Sequence, residues 1–142
     1  MNAPAVEIRT ASETDVDRVL ELWAAARSAY ATTTDTPESI AVLRTRDQGA
    51  LLVAERDGRV VGTLIAAFDG WRGGMYRLAV DPGHRREGIG AALIRAGESR
   101  LRQAGARRIS VLVGFGDEVA IAAWEAAGYR RDTNIGRLVK NV

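Results

Sequence analysis

The sequence predicts a mixed α/β fold in which a mostly antiparallel sheet carries helices on both faces. Residues 50–68 hold two apolar runs around Asp57 and Gly58, a strong signal for a tight hairpin, and "MYRLAV" (75–80) follows as a further strand. Strand patterns before and after this meander alternate with helical patterns, which is typical of α/β domains. The predicted order is β-α-α-β-β-β-α-β-α-β-β.

The first third of the chain supplies one strand and two helices. "AVEIRT" (5–10) alternates as a strand, and Ser12 followed by Asp15 resembles a capping box that opens a helix. Pro37 begins a short second helix that reaches roughly Arg46. The apolar face of the first helix consists of Val16, Val19, Leu20, Trp23 and Tyr30.

The second half of the chain places a loop, "DPGHRRE" (81–87), before a helix over 88–103. Gly105 follows that helix as a C-cap, and "RRISVLV" (107–113) is the next strand. A last helix ends at Gly128, and the segments 129–132 and 136–142 are predicted to close the sheet as short strands. The helix over 88–103 is expected to bury Ile89, Leu93, Ala96 and Leu101.

Length and composition favour one small domain without a membrane span. The chain has 142 residues and 46% apolar residues, and it suits one core. Its longest apolar stretch, 60–68, is about half of what a membrane helix requires, and the N-terminus lacks the pattern of a signal peptide. We therefore expect a cytoplasmic protein. The absence of cysteine excludes disulfides, thiolate nucleophiles and cysteine zinc sites, and with one histidine no metal site is expected.

Positive charge is concentrated in the middle of the chain. Between Arg72 and Arg108, nine arginines stand against three acids, a balance of +6. The remaining residues comprise eleven bases and fifteen acids, a balance of −4. This asymmetry indicates an anionic partner for the middle segment.

The stretch "HRREGIGAAL" (84–93) is the candidate for binding that anion. Glycines at a helix start let a phosphate approach unpaired backbone N–H groups, and arginines add charge-assisted hydrogen bonds. A P-loop is excluded because no lysine precedes Lys140. A dinucleotide fingerprint has Leu93 in place of its third glycine and follows an antiparallel meander, so it is disfavoured.

"RREGIG" (85–90) resembles the R/Q-x-x-G-x-G/A signature of the GNAT family of N-acetyltransferases. The resemblance covers nearly the whole chain, since residues 120–129, A-x-x-x-W-E-A-A-G-Y, are similar to the family's A-x-x-x-Y-E-x-x-G-F. "FDGWRGGMYRLAV" (68–80) further resembles a bacterial branch of the family. The resemblance implies the GNAT fold, acetyl-CoA as acetyl donor and an amine as acceptor.

The resemblance also implies which residues contact acetyl-CoA. Backbone groups of a strand would hold the pantetheine arm, although the same residues could be ordinary core residues. A loop would bind the pyrophosphate through N–H groups, and its side chains could also simply face solvent. Asp117 could equally be only a helix N-cap. His84, on this loop, is expected to be structural and not a base. The predicted cofactor residues are Leu78, Ala79, Val80, Arg85, Arg86, Glu87, Gly88, Ile89, Gly90, Ala91, Asp117, Ala120 and Trp124.

The catalytic groups depart from the family pattern. Trp124 stands where many members carry a tyrosine that protonates the leaving thiolate, and an indole is a poor acid. Tyr76, Tyr30 or an ordered water are the alternatives. No carboxylate lies in "GGMYRLAV", so Asp69 is the nearest candidate base, although a turn with Gly70 explains it as well. The N–H of Val80 is predicted to polarise the thioester carbonyl.

The acceptor is a small-molecule or peptide amine in this interpretation, and without cysteine no acetyl-thiol intermediate forms. Arginines in the candidate acceptor site favour an acceptor that bears a carboxylate or phosphate, although one apolar helix face would explain its aromatic residues. Neither nucleic acid nor a membrane is an expected partner, and a homodimer through the final strand stays open. A non-catalytic acyl-CoA sensor on the same fold is the alternative function. The candidate acceptor residues are Trp23, Arg27, Tyr30, Trp71 and Arg72.

Overall fold

In the part of the chain that the structure describes, five strands form one sheet, with helices packed on both of its faces. The computed structural model describes residues 6–26 and 34–142, so Arg27 and Tyr30 lie outside the described residues. The elements are β1 (Glu7–Thr10), a 3₁₀ turn (Glu13–Asp15), α1 (Val16–Ala26), α2 (Pro37–Arg46), β2 (Leu51–Arg56), β3 (Arg59–Phe68), β4 (Gly73–Val80), a 3₁₀ turn (Pro82–His84), α3 (Ile89–Ala104), β5 (Ile109–Val111) and α4 (Glu118–Ala126).

The strands lie in the order β1-β2-β3-β4-β5, and the first four form an antiparallel meander. The last described strand, β5, runs parallel to its neighbour, β4. The hairpin between β2 and β3 turns at Asp57 (φ 53°) and Gly58 (φ 77°), two left-handed residues that match the right-handed twist of the strands. The predicted mixed, mostly antiparallel sheet is therefore confirmed.

Each face of the sheet has its own apolar core. On one face α1 and α2 contribute Val19, Trp23 and Ile40, and on the other face α3 and α4 contribute Leu93 and Trp124. The predicted placement of helices on both faces is therefore confirmed. Among the described residues, no helix has the length and apolarity needed to cross a membrane.

Two glycines bring α3 close to the sheet. A Cβ at Gly97 would lie 2.7 Å from Met75 Sδ and 2.9 Å from Leu64 Cδ2. A Cβ at Gly62 on β3 would lie 3.0 Å from both Ile89 Cγ2 and Leu93 Cδ1. Because neither position has room for a side chain, the helix axis and its N-terminus are fixed relative to β3 and β4.

The boundaries of α2, α3 and α4 agree closely with the predicted ones, and the buried helix faces differ in part from the expected ones. Helix α1 follows a 3₁₀ turn in which the Asp15 carboxylate accepts from the Ser12 N–H. It buries Val19, Trp23 and, in addition, Leu22, whereas the predicted Val16 and Leu20 are only partly buried. In α3, Ala96 is only partly buried and Ile94 is fully buried, because the helix lies directly on the sheet.

The two predicted closing strands are wrong. No strand occurs in 127–142, and this stretch leaves Leu138 97% exposed and Ile135 73% exposed. The physical reason is the shortness of β5, which spans Ile109–Val111 and not the predicted 107–113. Three residues offer too few backbone groups at the sheet edge to hold a further strand. The homodimer expected through that strand stays untested.

An ion pair fixes the start of α1 to β1. Arg9 Nη1 donates to Asp15 Oδ2 at 2.7 Å, and the Ser12 N–H donates to the same oxygen at 2.7 Å. The hydrogen bond from Arg9 is the main cause that lowers the pKa of Asp15 to about 2. The carboxylate therefore stabilises the fold above its unfolded pKa, and this stabilisation is lost as the pH falls through the folded value.

We expect Asp15→Asn to lower the free energy of unfolding by about 2 kcal/mol near neutral pH, at roughly 1.4 kcal/mol per pKa unit. The difference in free energy of unfolding between Asp15→Asn and the wild type should shrink between about pH 5 and about pH 2, where Asp15 becomes protonated in both the folded and the unfolded state. Urea unfolding across this range measures it, with Glu13→Gln as the control at an exposed neighbour. A difference that stays constant with pH would contradict the assignment.

Candidate functional site

The outer edge of β4 is only partly paired. Strand β5 pairs with Gly73–Met75 through Ile109–Val111, and the register ends there, while β4 continues to Val80. Among the described residues, 76–80 therefore have a free edge on the side of β5. The predicted arm-binding residues Leu78, Ala79 and Val80 all lie on this stretch.

The direction of the backbone groups along this free edge follows from one hydrogen bond. The Asp81 N–H donates to Val61 O on β3 at 2.8 Å. Because successive residues of a strand direct their N–H groups to opposite edges, the Val80 N–H and the Leu78 N–H face the free edge. The side chains of Leu78 and Val80 pack toward α3, and the side chain of Ala79 packs toward α1. This stretch therefore contributes side chains to the core while backbone groups at its outer edge stay unpaired.

A bulge interrupts β4 at Arg77. Thr63 pairs with Ala79 and Ile65 pairs with Tyr76, so two residues of β4 lie opposite one residue of β3. Arg77 has φ 57°, a left-handed conformation that is uncommon outside glycine. The sequence gives no signal for this bulge, because "MYRLAV" is indistinguishable from a regular strand.

Four side chains surround the bulge on the face covered by α1. Thr63 Oγ1 donates to Arg77 O at 2.9 Å and accepts from Trp23 Nε1 at 2.8 Å. The Arg77 guanidinium lies 5.8 Å from the centre of the Trp23 ring and donates to Asp35 Oδ1 at 2.7 Å. Only Trp23 is among the predicted site residues, because contacts across three elements leave no local pattern in a sequence.

Tyr76 precedes the bulge and is 43% exposed. Partial burial raises the pKa of its phenol above the ordinary value. The phenol therefore keeps its proton at neutral pH and is available as a donor beside the free edge of β4.

The N-terminus of α3 presents free N–H groups. Gly88 is the N-cap residue with φ 79°, and no side chain caps the helix. Arg86 has φ 65°, so the loop turns twice through the left-handed region before the helix. Uncapped N–H groups at the positive end of a helix dipole attract anions, and the pyrophosphate contacts expected for 85–91 stay a prediction.

No close packing contact requires a glycine at position 90. Among the described residues, an added Cβ would meet only Val80 Cγ2, at 3.9 Å, which is an ordinary van der Waals distance. Glycine within a helix costs about 0.5–1 kcal/mol relative to alanine. The open space beside Gly90 would let a phosphate approach the backbone N–H groups closely. These residues therefore fit the pyrophosphate of the expected donor.

Two arginines from other elements hold the loop of residues 81–88. Arg18 on α1 donates to Asp81 Oδ2 at 2.5 Å and to Val60 O at 2.9 Å. The Gly83 N–H and then Arg18 hold the pKa of Asp81 below its ordinary value. Arg56 forms an ion pair with Glu87 at 2.9 Å.

His84 Nδ1 lies 2.9 Å from Glu87 Oε2, so the imidazole has the structural role expected for it. Glu87 thus contacts both His84 and Arg56. Arg85 and Arg86 are exposed and form no ion pair within the described residues. Their charges are free to meet an anion at the N-terminus of α3.

The glycine-rich turn between β3 and β4 lies far from the loop of residues 81–88. Asp69 Oδ1 accepts from the N–H of Trp71 at 2.7 Å and of Arg72 at 2.6 Å, and these bonds lower the pKa of Asp69. Asp69 thus forms the turn, and its prediction as base stays untested. Since Arg72 and Arg77 are separated by roughly 16 Å of extended strand, the structure does not place this turn beside Trp23.

The residues predicted near α4 have structural partners. Trp124 is 5% exposed and packs edge to face on Tyr129, with ring centres 5.2 Å apart. Tyr129 donates to Glu98 at 2.8 Å, and burial is the main cause that raises its pKa. Asp117 caps α4 by accepting from the Ala120 N–H at 3.2 Å. Any contact of these residues with a cofactor stays a prediction.

Three solved structures illustrate what the fold resembles. Ard1 from Thermoplasma volcanium is 25% identical, covers 87% of this chain and 82% of its own, and has a TM-score of 0.78. The ribosomal-protein-alanine N-acetyltransferase from Brucella melitensis is 26% identical, with coverages of 86% and 83% and a TM-score of 0.72. The yncA protein from Salmonella typhimurium, solved with its cofactor acetyl-CoA, is 21% identical, with coverages of 89% and 80% and a TM-score of 0.74.

The family match agrees with the fold and with the arrangement of β4 and α3. A model of the Acetyltransferase (GNAT) family matches residues 16–129, which run from the first residue of α1 to the tyrosine that packs on Trp124. This range includes the free edge of β4, the loop of residues 81–88 and the N-terminus of α3. The chain therefore belongs to the GNAT family of acetyltransferases, and it is an N-acetyltransferase.

Proposed function

We propose that the chain transfers an acetyl group from acetyl-CoA to a primary amine, which attacks the thioester directly. The observation that carries this proposal is that two sets of unpaired backbone groups follow one another along the chain. The free edge of β4 runs from the bulge at Arg77 to Val80, and the loop then leads to the uncapped N-terminus of α3. Acetyl-CoA supplies the acetyl group, activated as a thioester.

The donor site we propose is built largely from backbone. The N–H groups at Gly88 and Gly90 hold the pyrophosphate, and the free charges of Arg85 and Arg86 add to its attraction. The N–H groups of Leu78 and Val80 hold the pantetheine arm and polarise the thioester carbonyl. The shared fold of the Salmonella yncA protein, solved with acetyl-CoA, supports this donor.

The proposed acceptor is an amine of low pKa, such as the α-amine of a peptide. Asp35 is the carboxylate seen beside the bulge, and it is paired with Arg77. Among the described residues beside the bulge no free carboxylate is seen, so a proton would leave through water, which costs about 1–1.5 kcal/mol for an α-amine and about 4–5 kcal/mol for a lysine amine. The similarity to a ribosomal-protein-alanine N-acetyltransferase, at 26% identity, supports a peptide acceptor.

Tyr76 is the proposed acid that protonates the leaving thiolate. Its side chain is 43% exposed, its phenol keeps its proton, and the residue lies next to the bulge. Trp124, at the family's usual position for this residue, is buried in the core and has no acidic proton to give.

An acetyl-transfer screen tests the function. Calorimetry with acetyl-CoA should show binding, and release of free thiol should be fastest with N-terminal peptides among amino acids, polyamines, aminoglycosides and peptides. Tyr76→Phe should keep the binding and slow the release at least about tenfold. Failure to bind acetyl-CoA would overturn the proposal. Binding without thiol release for any amine would instead establish the acyl-CoA sensor.

A further inference from the structure

Arg77 holds a backbone conformation that needs support from its surroundings. Its φ of 57° lies in the left-handed region, and a non-glycine residue stays there only where neighbouring groups hold it. The bulge that results decides which backbone groups of β4 face the free edge. Any group that holds Arg77 therefore acts on the donor site without touching it.

The support consists of two consecutive hydrogen bonds, the first buried and the second partly buried. Trp23 Nε1 donates to Thr63 Oγ1 at 2.8 Å, and Thr63 Oγ1 donates to Arg77 O at 2.9 Å. Trp23 is 5% exposed and Thr63 is 0% exposed, so the Thr63 hydroxyl that links the two bonds is shielded from bulk water. The position requires a group that accepts and donates at once, which a hydroxyl does and a methyl group does not.

The consequence of losing the bulge follows from strand periodicity. The extra residue at Arg77 sets the register of 78–80 against β3. If β4 slipped by one residue, every N–H on this stretch would turn to the opposite edge of the strand. The N–H groups of Leu78 and Val80 would then face β3 and no longer the cleft beside β5.

We propose that Thr63 and Trp23 are positioning residues for acyl transfer. They fix the bulge at Arg77, and the bulge holds the Leu78 and Val80 N–H groups toward the thioester carbonyl. This inference rests on the proposed function, since it assumes acetyl-CoA at the free edge of β4. It assigns a role to Thr63, which no pattern in the sequence singled out, and a further role to Trp23, which was predicted as an acceptor residue.

The test is Thr63→Val, which keeps the β-branched shape and removes the hydroxyl. Infrared difference spectroscopy of acetyl-CoA with a ¹³C-labelled thioester carbonyl measures polarisation in the bound state. In the wild type the carbonyl stretch should lie below its value in solution. In Thr63→Val most of this shift should be lost, while the dissociation constant rises by no more than about tenfold, because the arm loses backbone contacts and the pyrophosphate loop is untouched.

Kinetics give a second readout. With the best amine from the screen, kcat of Thr63→Val should fall about tenfold to hundredfold, while KM for acetyl-CoA rises by a smaller factor. Thr63→Ser should restore both the carbonyl shift and kcat, because it restores the hydroxyl. Trp23→Phe should show a smaller loss, and the double variant should be no worse than Thr63→Val, as expected for residues of one chain of hydrogen bonds.

Thr45→Val is the matched control. It makes the same chemical change at an exposed position of α2, where the hydroxyl donates to Ala41 O at 2.9 Å. This variant should leave the carbonyl stretch and kcat unchanged. If Thr63→Val does not fold, Trp23→Phe with the same carbonyl measurement decides the question.

Two results would overturn the inference alone. One is a wild-type carbonyl stretch in Thr63→Val with acetyl-CoA bound. The other is an equal loss in Thr63→Ser and Thr63→Val, which would assign the position to packing. Absence of acetyl-CoA binding in the wild type would overturn the proposed function itself, so the two failures are distinguishable.

Discussion

Gly90→Asp is expected to raise the dissociation constant for acetyl-CoA at least about a hundredfold, or about 2.7 kcal/mol. The new carboxylate would occupy the space above the backbone at the start of α3 and would repel a pyrophosphate. The fold should be as stable as the wild type, because the added Cβ meets only Val80 Cγ2, at 3.9 Å. An acid in the first turn of a helix is also favourable.

Calorimetry with acetyl-CoA and thermal unfolding measure the two effects separately. Gly90→Ala adds the Cβ without the charge and should weaken binding less. Gly136→Asp is the matched control, since a Cβ there meets no atom within 4 Å and the position is exposed. Wild-type affinity in Gly90→Asp would remove the N-terminus of α3 from the donor site.

Gly97→Leu is expected to destabilise the fold by about 3 kcal/mol or more through overpacking. The glycine is buried, and its missing Cβ would lie 2.7 Å from Met75 Sδ. A leucine would push α3 away from β4 and break the contact between helix and sheet that fixes the N-terminus of α3. Binding of acetyl-CoA should weaken together with stability, in contrast to Gly90→Asp.

Urea unfolding measures the effect of Gly97→Leu. Gly136→Leu makes the same change at an exposed position without neighbours, and it should leave the free energy of unfolding within about 0.5 kcal/mol of the wild type. A Gly97→Leu variant as stable as the wild type would show that α3 can shift on the sheet.

Local signals in the sequence predicted much of the fold. Asp57 and Gly58 specify the hairpin because both adopt the left-handed conformation that the turn requires. Pro37 and Gly105 mark helix ends through their own backbone preferences, and α2 and α3 begin and end within a residue of the predicted bounds. The loop of residues 85–91 also carries a local signal, because its glycines and arginines are adjacent in sequence, and its contacts with a cofactor stay a prediction.

The features that the sequence did not predict depend on contacts between residues that are far apart in the chain. Arg18 meets Asp81 across 63 positions, and Trp23 meets Thr63 across 40, so no short pattern contains either pair. The bulge at Arg77 arises from register between strands, which a single strand does not encode. The predicted closing strands failed for a related reason, since a strand forms only where a neighbouring edge is long enough to pair with it.

Main-chain atoms line the free edge of β4, and every amino acid carries the same ones. In the proposed function, such a surface constrains the path of the backbone and the side chains that hold it, which include Thr63 and Trp23. Side chains of the proposed acceptor side that do not hold the bulge can change without altering how the donor is held. Under this proposal the donor half of the reaction is fixed, and the acceptor half can vary.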